Sequence, residues 1–134
     1  QRRLVTAGGR ELEFDACIVA VGALWNTHHI PGVARHAMPF RSVADALAIE
    51  QRLRTLVEQG TPLRIVIAGG GISGIEALGE ILRRHRDDAG LSVEVIEAGA
   101  RLLPGLPAAL DADLRRLCEP YAVRFRTSTQ IASV

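Results

Sequence analysis

Gly69-Gly70-Gly71-Ile72-Ser73-Gly74 satisfies the spacing G-x-G-x-x-G, and each of its spaced glycines has a separate physical task. Gly69 permits a tight turn out of a strand and into a helix. Gly71 has no Cβ, so the backbone can approach a diphosphate closely. Gly74 lets the helix pack tightly on the strands. Unpaired N–H groups at the start of that helix, and its dipole, stabilise phosphate charge. Gly70 and Ile72 complete the cradle, and Ser73 can add a hydroxyl hydrogen bond. Glycine-rich turns are common, so the spacing alone is weak. Its context is stronger: strand-like Arg64-Ile-Val-Ile-Ala68 before it, a helical pattern after it, then a second strand ending in an acid.

That acid is Glu97, 23 residues beyond Gly74, with Ala98 beside it. A carboxylate there can accept hydrogen bonds from both adenosine ribose hydroxyls and repels a 2′-phosphate, which favours NAD(H) over NADP(H). Arg101, four residues on, complicates this, because a cation there would either tolerate the phosphate or cover the adenine. The competing reading of the whole constellation is a βαβ turn that binds nothing.

Glu76 and Glu80 share a face of the glycine-loop helix. For Glu80 the spacing favours surface ion pairing with Arg83 and Arg84. For Glu76 two readings stand, ion pairing or a place near the nicotinamide end of a bound cofactor. His28, His29, His36 and His85 have no metal-ligand spacing with cysteines or acids and are expected on surfaces or loops. Neither a nucleophile elbow nor a Walker loop is present. The sequence therefore offers no catalytic and no metal-binding residue.

The chain has 134 residues, 48% of them hydrophobic, and a net charge of +1. Such a chain can form a core and lacks the basic footprint of nucleic-acid or anionic-membrane binding. No apolar run approaches the ~20 residues of a membrane helix. Cys17 and Cys118 lie far apart and are expected as buried thiols in a reducing compartment, so the protein is read as soluble and cytoplasmic.

Several elements must position the glycine loop. Leu4–Thr6 and Glu11–Phe14 flank Gly8-Gly9 and predict a hairpin. Ala16–Val21 is a continuous apolar run closed by Gly22, as in a strand covered on both faces. Leu24 to Pro39 reads as loop. Ser42 with Asp45 makes a capping-box-like start for a helix over Val43–Glu58, ended by Gly60-Thr61-Pro62. From Leu63 onward the order is β-α-β-α-β: strand Leu63–Ala68, helix Ile72–Arg86, strand Ser92–Glu97, helix Leu110–Glu119, and a strand about Val123 and Phe125. That order implies a parallel sheet with right-handed crossovers. The fold class expected is α/β, a Rossmann-like three-layer fold with a mainly parallel sheet, preceded by a hairpin and strand.

Four segments resemble the pyridine nucleotide-disulfide reductases, and within them the type II NADH dehydrogenases and related FAD-dependent oxidoreductases. Phe14–Ala23 resembles the strand that closes the first half of the family's FAD domain, which implies a flavin contact at Gly22. Ile30–Val33, His36–Ser42 and Ala44–Leu47 resemble the connection into the NADH domain. Ile65–Leu82 resembles that domain's glycine loop and helix. Val95–Pro104 resembles its second strand and following turn. The resemblance implies that NADH docks here and passes hydride to the N5 of a bound flavin, which then reduces a quinone or another acceptor. It also implies a glutamate at Glu76 close to where nicotinamide meets flavin. Leu78 replaces a small residue usual before Gly79, so the helix is expected slightly further from the sheet, and Val21-Gly22 replaces the usual threonine-glycine.

Both ends read as those of a fragment, since the chain opens on Gln1 and the strand-like residues Thr129–Val134 close it. The FAD glycine loop and the closing FAD segment are then expected in the rest of a parent protein, and the chain alone is expected to be inactive. The expected division is 1–24 from the FAD-binding half, 25–60 connecting loop and helix, and 61–134 NAD(H)-binding core. Ala16–Val21 could fill the vacant edge beside Leu63–Ala68, within one molecule or by exchange in a dimer. Two other functions stay open, an FAD-binding module and a non-catalytic NAD(P) sensor.

Overall fold

The computed structural model describes residues 2–19 and 24–134, and among them five strands in two separate sheets and four helices. Strands β1 (Arg2–Val5) and β2 (Glu11–Phe14) form an antiparallel hairpin, with Gly9 at φ 80° in its turn. A single helical turn, α1 (Val33–His36), interrupts the segment expected to be loop.

Helix α2 (Val43–Glu58) starts at Ser42, whose hydroxyl accepts the Asp45 N–H at 3.1 Å. Asp45 does not return the bond to Ser42; its carboxylate accepts the Arg41 N–H and Nε instead, at 3.3 and 3.2 Å. At the other end the chain reverses through Gly60 at φ 67°, as a glycine-terminated helix requires. Leu53 is buried and Ile49 and Leu56 pack beside it, whereas Val43 and Leu47 stay exposed.

The second sheet is parallel, in the order β3 (Arg64–Ala68), β4 (Ser92–Ile96), β5 (Val123–Arg126), joined through α3 (Ile72–His85) and α4 (Ala109–Cys118). Side chains alternate across a strand, and the register aligns Ile65 with Val93 and Val123, and Ile67 with Val95 and Phe125. These six side chains therefore share one face. With Leu53, Leu78, Ile81, Leu102 and Cys118 they build one core, so α2, α3 and α4 all contribute to it. The opposite face carries Val66, 60% exposed, and an ion pair between Arg126 and Glu94. The β-α-β-α-β order and the α/β class are as the sequence predicts. Leu78 is fully buried in the core.

Some expectations fail. Residues 16–19 belong to no strand, Ile18 is 92% exposed, and they do not pair with the edge of β3. An apolar run becomes a strand only where a partner receives its N–H and C=O groups, and the described part of this chain supplies none. Residues 20–23, including Gly22, lie outside the described residues. Residues 129–134 also form no strand; Val134 donates its N–H to the Pro31 carbonyl at 2.9 Å. Cys17 is exposed, while Cys118 is buried, and that burial pushes its thiol pKa up.

Candidate functional site

The turn from β3 into α3 is built by its glycines in three different ways. Gly69 sits at φ 111°, in the region open to residues without a side chain, and its N–H is held by the Ile96 carbonyl at 2.8 Å. A Cβ on Gly74 would collide with the Gly69 carbonyl oxygen, so its absence lets the helix seat against the loop. A Cβ on Gly71 would meet no protein atom within 4 Å; it would project into open space. Gly70 is buried, and a Cβ there would lie 2.6 Å from Leu102 Cδ2 and 3.0 Å from Glu97 Cβ.

Helix α3 has Gly71 as its N-cap and no side-chain cap, and the Gly71 carbonyl accepts the Ile75 N–H at 3.1 Å. The N–H groups of the first turn, Ile72, Ser73 and Gly74, thus lack intrahelical acceptors. They open on a cleft of about 470 Å³ bounded by Ala68, Gly69 and residues 71–74 on one side and Leu103 to Leu106 on the other. Ser73 and Ile72 are exposed at its margin. The positive end of a helix facing a cleft of this kind is suited to an anion.

Glu97 closes the far end of β4 and binds two backbone amides. Its Oε2 accepts the Gly70 N–H at 2.8 Å, and its Oε1 accepts the Gly99 N–H at 2.7 Å. Its own N–H and C=O join Arg126 and Thr129 at 2.8 and 3.0 Å. A carboxylate has about four lone-pair positions, so two acceptor positions remain for a ligand. Ala98 is exposed next to it. Arg101 points elsewhere: its guanidinium donates to the Leu103 and Pro104 carbonyls at 3.1 and 2.6 Å.

Asp111, in the first turn of α4, accepts the Leu102 N–H at 2.8 Å and pairs with Arg115 at 3.0 Å. The Arg115 hydrogen bond holds its carboxyl below the usual aspartate range, against the opposing effect of burial and with help from Leu102. Glu80 bridges Arg83 and Arg84, at 2.8 and 2.5 Å, and these bonds lower its pKa to about 2. Glu76 is exposed on α3, and its side chain makes no hydrogen bond or ion pair with the other described residues.

The far wall of the cleft was not legible as such, although Pro104-Gly105 is a turn dipeptide that marks a reversal there. His85 also departs from expectation. It is buried at the end of α3, with Nδ1 2.7 Å from Asp88 Oδ2 and Nε2 3.3 Å from Glu50 Oε2 on α2. No group of three potential metal ligands occurs among the described residues. No helix among them is long and apolar enough to cross a membrane.

All of residues 1–134 match the sequence pattern of the family described as pyridine nucleotide-disulphide oxidoreductase. The chain is 30% identical over 101 residues to the demethylphylloquinone reductase of Synechocystis sp., covering 75% of this chain and 24% of that protein. It is 28% identical over 134 residues to the type II NADH:quinone oxidoreductase of Haemophilus influenzae, covering 77% of this chain and 30% of that one. In structure it is similar to NDH2 of Plasmodium falciparum in complex with NADH, with a TM-score of 0.73 at 23% identity, over 98% of this chain and 31% of that one. The chain thus spans roughly a quarter to a third of these relatives.

Proposed function

The chain belongs to the pyridine nucleotide-disulphide oxidoreductase family, and on that premise we propose that it is the NADH-binding part of a flavin-dependent oxidoreductase. One observation carries this reading: a Cβ-free position at Gly71 and the first-turn N–H groups of α3 face the same open cleft. A dinucleotide would lay its diphosphate there, against Gly69 to Gly74. Glu97 would accept the adenosine ribose hydroxyls with its remaining lone pairs, which keeps NADH ahead of NADPH. Glu76, unengaged on the next exposed position of α3, would stand at the nicotinamide end.

FAD, when bound in the parent protein, would take hydride from NADH and pass electrons to a quinone or another acceptor. Its expected contact at Gly22 lies outside the described residues. This chain's part is to bind and orient the nucleotide; no residue on it is assigned to bond-making. Residues 61–134 would then be the nucleotide-binding core, with 1–24 and 25–60 belonging to the FAD half and the connection. The remainder of the FAD domain is its expected partner. Exchange of the 16–21 segment between two copies rests on no pairing of the described residues 16–19. A cytoplasmic setting stays part of the proposal, to be checked by fractionation, since similar proteins include mitochondrial ones.

Titrating the chain with NADH, NADPH and FAD, followed by fluorescence and calorimetry, tests the reading. Saturable binding with NADH tightest is expected. Preference for FAD would move the assignment to an FAD-binding module, and no binding of any of the three would overturn it.

A further inference from the structure

Leu103 has a backbone that its sequence should resist. It stands at φ 50°, where residues with a side chain are uncommon. It also precedes Pro104, and a residue before proline is pushed toward extended conformations. Yet it is no loose loop tip, for it forms part of the cleft wall facing the glycine loop. Conformations of this kind persist where the surroundings over-determine them, and they gather at ligand sites.

The surroundings here can be named. The Leu103 N–H donates to the Gly70 carbonyl at 2.8 Å, tying the wall to the glycine loop. Its carbonyl accepts Arg101 Nη1 at 3.1 Å, and the next carbonyl, that of Pro104, accepts Nη2 at 2.6 Å. One guanidinium thus grips two successive carbonyls across the strained peptide. A planar fork with fixed donors can do this, whereas an ammonium holds a single point. On the other side, Leu102 is fully buried against Gly70, and its N–H is held by Asp111 at 2.8 Å.

We infer that Arg101 is a positioning residue for the cleft: it locks Leu103 in its left-handed conformation and so fixes the far wall relative to the glycine loop, without reaching the nucleotide itself. This rests on the nucleotide reading of the cleft and departs from the phosphate-reading role that its place after Glu97 suggests.

The test compares Arg101→Met, Arg101→Lys and the double variant Arg101→Met/Leu103→Gly with the unmodified chain. NADH and NADPH affinities are measured by calorimetry, and exchange of the Leu103 amide is followed by NMR without ligand. Arg101→Met should weaken both nucleotides by a common factor of about tenfold and speed exchange at Leu103. Lysine should restore little. Glycine at 103 should restore most of the affinity, because it adopts positive φ without a clamp. Loss confined to NADPH would overturn the inference, as would an unaltered exchange rate at Leu103. Should Arg101→Met fail to fold, Arg101→Lys carries the same comparison. If the unmodified chain binds neither nucleotide, the functional reading falls, and the exchange rates still decide the clamp.

Discussion

The Glu97 carboxylate and the Gly70 amide meet at 2.8 Å across 27 residues of chain, and the other carboxylate oxygen meets the Gly99 amide at 2.7 Å. One side chain therefore braces the glycine loop against the turn that follows β4, before any ligand arrives. Replacing it with alanine would leave two partly buried N–H groups without acceptors. Such groups cost about 1–3 kcal/mol each when a partner is removed. Urea unfolding of Glu97→Ala should show a loss of about that size, and NADH affinity should fall with it. An unchanged midpoint would refute the brace.

The loop glycines should separate stability from binding. Gly74→Ala drives a methyl into the Gly69 carbonyl, and overpacking of this kind destabilises by about 1–3 kcal/mol. Gly71→Ala meets no protein atom, so its unfolding midpoint should stay near that of the unmodified chain while NADH binding weakens. If Gly71→Ala bound NADH normally, the diphosphate would not lie where we place it.

Acid should loosen the turn after β4 through Asp111. Its folded pKa lies below the ordinary 3.8, chiefly through the Arg115 hydrogen bond. A lowered folded pKa gives stability that is fully present above the unfolded value and is lost as pH falls through the folded one. Stability followed from neutral pH down past 3.8 should therefore decline on the acid side, and Asp111→Asn should flatten that decline. Identical slopes for the two chains would remove Asp111 from the account.

The two thiols should react unequally. Cys17 is exposed, whereas Cys118 is buried in the core with its thiol pKa raised, and thiolate character and access together set reactivity. A thiol reagent at neutral pH should label Cys17 in the folded chain and Cys118 only in urea. Rapid labelling of Cys118 without denaturant would mean that α4 does not stay docked.

Much of this protein could be read along the chain because the signals are local. The β-α-β-α-β order follows from alternating Ile65, Ile67, Val93 and Val95 and from helical spacing in α3. Ser42 starts α2 through a bond three residues away, and Gly69 turns the chain because only its own φ is involved. Even the position of Glu97 is a matter of counting residues. Its partners are not. That the carboxylate holds Gly70, that Asp111 holds the Leu102 amide, and that His85 reaches Glu50 are outcomes of the assembled fold. The same holds for residues 16–19, whose apolar run predicts a strand that no described neighbour completes. Spacing and periodicity indicate which elements can form, because turns, caps and apolar patterns are local signals, whereas a strand also needs a partner for its backbone groups. Which polar atoms meet is decided only when distant segments converge, since a hydrogen bond between residues far apart in sequence leaves no periodic trace in the chain.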